Sequence, residues 1–462
     1  MSHRTTFCVA LAVCGLACSG LACSGLARQA DAKGTAQEVQ SLGNELTCMG
    51  SEKAGNKEGT IPAFSGKWTG IPPGINYKGT GTAYPDPYAS EKPSFVITAK
   101  NMQNYEDKLS EGQKALFKKY PETFQMPVYP THRDFGYDNS VCKIARGNAA
   151  KAELEDSGTG LNALNGAPPF PIPKNGLELL WNHQLASIVF TYNGLQDQAV
   201  VYPNGSIAWG KVRFEIFSPA LMPNAQSKTD GVYAHFKVKT LLPERDKGAI
   251  TVGVEYYNHQ KTPRLGYMYN PGTRRVRQLP SYGFDMPQGP GGFRTIDDDR
   301  LFNGSPERYD WKIVGKKEMY VPWDAYRIQE PSVKYTDLLK PNHVNPEYMR
   351  YELRRVWVLE AKLKEGFRHQ YGRRVMYLDE DSWNGMMSDN YDMRGQLWRV
   401  AMVNYFYAYD AGSYINSTSV YHDLSSGAYM TDKMTNTQAP VINAGGVAAT
   451  NFTPDSARME GL

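Results

Sequence analysis

Between residues 199 and 432 the apolar residues recur every second position, and no other feature of the chain restricts its fold so sharply. Val212, Phe214 and Ile216 alternate with Lys211, Arg213 and Glu215; Val232, Ala234, Phe236 and Val238 alternate with Tyr233, His235, Lys237 and Lys239. A period of two places one set on each face of a β-strand, one for a core and one for water or a second layer. Strong turn chemistry separates the runs. Pro203-Asn204-Gly205-Ser206 predicts a hairpin, and Asn270-Pro271-Gly272-Thr273 predicts a reversal with φ > 0 at Gly272. About ten strands follow in sequence, which implies one large, curved, mainly antiparallel meander over 176–434. A 12% aromatic content with 30 Tyr agrees with β structure.

The first 175 residues read differently. Arg4, an apolar run over 7–26 and Ala30-Asp31-Ala32 describe a secretory signal over 1–32, cleaved after Ala32. Lipidation at Cys18 or Cys23 is the less favoured reading, because Gly15 and Gly20 stand where an apolar residue is wanted. Residues 33–175 form an arm and helical segment that wraps the body, since Phe64, Trp68, Tyr77, Tyr84, Tyr88 and Phe95 need burial. Helices are predicted over 98–120, with a break that Ser110 caps, over 139–154, and from an Asn175 cap through 185. The Pro-rich 168–173 segment reads as a boundary. After 434 the composition turns to Asn, Thr, Ala and Gly, the signature of a flexible tail over 435–462. The fold class is therefore α+β: a large half-barrel sheet covered by helices and an extended N-terminal arm.

Six cysteines are present, four of them in the signal. Cys48 and Cys142 remain, and in an oxidising compartment a single disulfide is the leading reading, with two free thiols as the other. A net charge of +4 is too slight to indicate nucleic acid. The histidines are scattered, and no HExxH, G-x-S-x-G, P-loop or dinucleotide fingerprint occurs, so no motif-borne enzyme and no cofactor is implied. Asp297-Asp298-Asp299 lacks the spacing of a calcium loop. Pairing within the chain, with Arg274, Arg275 and Arg277 close by in sequence, or a rim for anionic head groups accounts for it without metal.

Three segments carry a resemblance: 267–277 (YMYNPGTRRVR), 294–299 (RTIDDD) and 302–312 (FNGSPERYDWK), with 53–63 (KAGNKEGTIPA) and 169–176 (PFPIPKNG) upstream. They resemble domain-of-unknown-function family 1329, often labelled outer membrane lipoprotein-sorting protein, and more distantly the periplasmic lipoprotein carriers LolA and LolB. The resemblance implies a periplasmic carrier or binding protein for a lipid or other hydrophobic molecule. It also implies a resistance-nodulation-division-type inner-membrane transporter and an outer-membrane protein as partners. A structural adaptor of an export complex, its trough filled by its own arm, is the alternative, and an enzyme acting on lipid or glycan a third. Residues 33–175 have no counterpart in the shorter carriers, which puts lipoprotein in doubt as the cargo.

On this reading Tyr267, Tyr269, Phe284, Met286, Trp311, Trp357 and Tyr405 either fill the core or line a lipid trough. The Gly- and Pro-rich loop over 281–293, too apolar for disorder, is either a lid on that trough or a fixed loop on the sheet edge.

Overall fold

In a computed structural model, residues 34–223, 231–280 and 282–461 are described; the proposed signal over 1–32 lies outside them. The alternating runs are antiparallel strands in two meanders. The first comprises β1 (Thr191–Val201), β2 (Ile207–Phe217), β3 (Val232–Leu242), β4 (Ile250–Tyr256), β5 (Leu265–Asn270) and β6 (Arg275–Gln278). The second comprises β7 (Tyr309–Pro322), β8 (Tyr351–Leu363), β9 (Arg373–Asp379), β10 (Gly385–Tyr391), β11 (Leu397–Ala408), β12 (Ser413–Asp423) and β13 (Tyr429–Met434). The two are not laid end to end. The last strand of the second pairs with the first strand of the first, Tyr429 opposite Val201, so the order across the sheet is β7 to β13 and then β1 to β6. Three short strands, Phe95–Ile97, Met126–Val128 and Val441–Ile442, bring the sheet to 16.

Local chemistry fixes the turns. Gly205 takes φ 84° in the β1–β2 hairpin, as a tight two-strand reversal requires. In the β5–β6 turn the left-handed residue is Arg274 (φ 53°), not Gly272; the Asn270 side chain accepts from the Thr273 N–H at 3.0 Å and holds the loop one residue longer than expected.

The predicted helices form where their caps stand. Ser110 and Gln113 make a capping box for α1 (Glu111–Lys119), Asp138 caps α2 (Asn139–Lys151) and Asn175 caps α3 (Gly176–Gln184). α3 buries Leu179, Leu180 and Trp181. The Pro-rich stretch ahead of it is not a boundary: Asn182 donates to the Phe170 carbonyl (2.6 Å) and accepts from its N–H (2.8 Å). The sulfurs of Cys48 and Cys142 are bonded at 2.01 Å, tying the arm to α2. Of the arm's aromatics, Tyr84 and Tyr88 are buried, and the hydroxyls of Tyr77 and Tyr84 both donate to Asp410, at 2.8 and 2.7 Å.

The C-terminal segment corrects the expectation of a flexible tail. Val441–Ile442 pairs with β1. Phe452, 3% exposed, stacks on Phe217, and α4 (Pro454–Gly461) lies on β4 and β5 with Ala457 fully buried. Glu460 pairs with Lys237 and Lys239 of β3 at 2.9 and 3.2 Å.

Candidate ligand cavity

Strand parity decides which side chains meet over the first meander. Phe214 stands opposite Val238, and Val238 opposite Thr251, which is opposite Met268. This phase, with Val212, Ile216 and Phe236, lines a cavity of about 630 Å³. The other phase carries Lys237, Lys239, Tyr267 and Tyr269 to the opposite face, under α4.

The wall facing the strands is the loop after β6. Tyr282 is buried and stacks on Phe236 at 5.8 Å, and Met286 joins the same apolar cluster. Two glycines permit the approach. A Cβ on Gly266 would meet the Tyr282 ring at 2.7 Å, and one on Gly210 would meet Pro290 at 2.8 Å. The loop closes as a two-residue ladder, Pro287–Gln288 against Arg294–Thr295. No residue of the described arm over 34–175 lines the cavity.

Beyond this loop the chain fills the sheet itself. Register carries the cavity face across β13 and β12 to β9, where Arg374 is fully buried. There the Asp triplet meets it. Arg374 donates to Asp297 at 2.8 Å and to Asp298 at 3.1 Å, His369 lies 3.0 Å from Asp297, and Lys433 pairs with Asp299 at 2.6 Å. The triplet is paired within the chain, but by residues distant in sequence; Arg274, Arg275 and Arg277 are exposed around β6. Burial works to raise the Asp299 carboxyl, yet Lys433 and Arg294 hold it below the ordinary carboxylate range. Among the described residues no cluster of His, Cys, Asp and Glu could hold a metal ion.

One end of the cavity is charged. Arg264 pairs with Glu255 (2.8 Å), Arg294 with Asp432 (2.9 Å) and Lys433 with Asp299; the exposed Arg245–Asp246 pair (3.1 Å) stands apart, in the turn between β3 and β4. Arg300 also lines the cavity, and donates to the backbone carbonyls of Gln184 (2.7 Å) and His183 (3.4 Å). At the same end Tyr405 and Asn416 face each other across β11 and β12.

Of the seven residues expected at a trough, Met286 and Tyr405 line the cavity. Tyr267 and Tyr269 lie on the wrong face; the Tyr269 hydroxyl donates to the Gly461 carbonyl at 2.9 Å. Phe284 turns away, its ring under Arg308 at 3.6 Å. Trp311 and Trp357 stand on the cavity side of the sheet, but over the half that the chain fills. The Trp311 indole N–H donates to Pro306 at 3.0 Å and the ring packs on Phe302, while Trp357 stacks on Trp383. The cavity residues missed, among them Val212, Phe214, Phe236 and Val238, had a visible signal in their alternation. A strand face that awaits a ligand has the same apolar phase as one that packs on the chain.

The molecule is thus an α+β protein with a large antiparallel sheet and an apolar cavity, charged at one end, on the face of one meander. It belongs to the family described as protein of unknown function (DUF1329), whose model matches residues 96–458. Uncharacterized protein PA3922 of Pseudomonas aeruginosa is 40% identical over 442 residues, 94% of this chain and 95% of the relative. Among solved structures, a DUF1329 family protein from Desulfovibrio piger is similar at a TM-score of 0.41 and 12% identity, over 61% of this chain and 97% of that one. The LolA superfamily protein NE2245 from Nitrosomonas europaea is similar at a TM-score of 0.35 and 11% identity, over 62% and 100%. No helix of the described residues is long and apolar enough to cross a membrane.

Proposed function

We propose that this chain is a periplasmic carrier or binding protein for a lipid or other hydrophobic molecule, held against β1–β5. The cavity carries the reading. Its volume, about 630 Å³, falls within the roughly 300–1,000 Å³ of sites that enclose one small organic molecule. The Val, Ile, Phe and Met side chains of its walls offer an acyl chain a dry surface, and each methylene withdrawn from water contributes about 0.8 kcal/mol. Binding of this kind is non-directional and needs no reacting side chain. The Cys48–Cys142 bond suits an oxidising compartment. The arm lies outside the cavity lining, which favours exchangeable cargo over a trough filled by the chain itself. We extend the proposal to transfer between the inner and outer membranes, with an inner-membrane transporter of the resistance-nodulation-division type and an outer-membrane protein as partners.

Native mass spectrometry of mature protein purified without detergent tests the central point. About one lipid-sized adduct per chain is expected, released by organic extraction. Protein that emerges free of adduct, and takes up no fluorescent lipid after delipidation, would favour the adaptor.

A further inference from the structure

Tyr405 is 1% exposed, and its hydroxyl has no hydrogen-bond partner within the chain. Asn416, directly opposite on β12, buries a side-chain N–H₂ that is likewise unpartnered. Both residues line the cavity. Buried donors without acceptors are rare in folded proteins because each forfeits its hydration; two side by side on a cavity wall mark where an acceptor belongs.

The charges specify that acceptor. Each of the other cations lining the cavity has a carboxylate partner that lines it too. Arg300 is the exception: among the described residues no carboxylate pairs with it, and its contacts are the two backbone carbonyls. Arg300 is also among the charges that act on the Tyr405 hydroxyl. An amide N–H₂ and a guanidinium can only donate, and an ionised carboxylate can only accept. Arg300 is half-buried, and Asp299, whose charge acts on it, is ion-paired with Lys433; cations outnumber carboxylates among the lining residues, so one negative charge completes this end of the cavity.

We infer that the cargo is a single-chain amphiphile with a carboxylate head group, a long-chain fatty acid in chemical class. Its head is seated by Arg300, Tyr405 and Asn416, and its chain lies along Phe214, Phe236 and Val238. The inference rests on the carrier reading and deepens it. The volume agrees with one chain rather than the several of a lipoprotein anchor.

The test compares oleate, methyl oleate and a single-chain lysophosphatidylglycerol on the delipidated full-length mature chain, by competition with a fluorescent fatty acid. Oleate should bind at least tenfold more tightly than its methyl ester, and more tightly than the phosphodiester. In Arg300→Gln the preference for acid over ester should fall to within about twofold, with ester affinity retained; Tyr405→Phe should weaken oleate several-fold and the ester less. If Arg300→Gln does not fold, the comparison on the unmodified chain and on Tyr405→Phe still decides. Equal affinity for acid and ester, or preference for the phosphodiester, overturns the carboxylate assignment and leaves the carrier reading standing. An acid preference that persists undiminished in Arg300→Gln overturns the placement of the head. If no amphiphile binds, the carrier reading itself fails.

Discussion

The Tyr405 hydroxyl yields a prediction that needs no ligand. Removing an unsatisfied buried polar group relieves its desolvation cost, so Tyr405→Phe should stabilise the delipidated protein by about 1 kcal/mol. Chemical denaturation would read this, and a loss of stability would mean that the hydroxyl has a partner in the folded chain. His132 supplies a second case at this scale. Its ring stacks on Tyr88 and lies 2.7 Å from Glu91 and 3.5 Å from Asp134. Burial opposes its charge, but Asp134, Glu352 and Glu91 outweigh that, raising its pKa from 6.5 to about 9. A raised histidine contributes stability that is fully present below its unfolded pKa and is lost as pH rises through the folded one. The denaturation midpoint should therefore fall between about pH 6.5 and pH 9. In His132→Gln that part of the slope should disappear; an unchanged profile would remove His132 from the account.

Among the elements, the loop from Tyr282 to Phe293 separates two residues that its composition cannot distinguish. Met286 faces the cavity and Phe284 lies under Arg308. Met286→Ser should speed release of a bound fluorescent fatty acid several-fold, and Phe284→Ser should leave release unchanged. Equal acceleration by both would indicate that the loop opens as a unit. The C-terminal helix gives a stability test. Phe452→Ala should cost about 3–5 kcal/mol, as expected for a buried aromatic, whereas no change in the unfolding midpoint would restore the flexible tail. These elements also mark how far the sequence could be read. Strand existence was legible from period two, and helix starts from Ser110, Asp138 and Asn175. Strand phase was legible in β2 and β3, where polar and apolar residues alternate cleanly. It was not in β5, whose Tyr267, Met268 and Tyr269 present apolar bulk to both faces. The tail was misread because its two anchors, Phe452 and Ala457, are sparse in a polar stretch. The Lys237 and Lys239 face that receives Glu460 lies more than two hundred residues away.

For the molecule as a whole, what could not be read is the pairing of β13 with β1, because no local signal encodes contact between the ends of two meanders. That pairing makes one continuous face. Over the second meander it is covered by Arg294–Leu301 segment residues that satisfy Arg374; over the first it remains a cavity. Tyr405, on β11 of the second meander, still reaches the cavity lining. Trp311 and Trp357 stand on the same face over the other half, packed on Phe302 and Trp383, neighbours that strand periodicity does not reveal. The central claim is that cargo occupies the cavity over β1–β5. The most direct measurement is photocrosslinking with a long-chain fatty acid bearing a diazirine along its chain, followed by peptide mapping. Adducts should fall on 207–217, 232–242 and the Met286 peptide. Adducts confined to the opposite face, around Tyr267, Tyr269 and the C-terminal helix, or none that unlabelled fatty acid competes away, would contradict it.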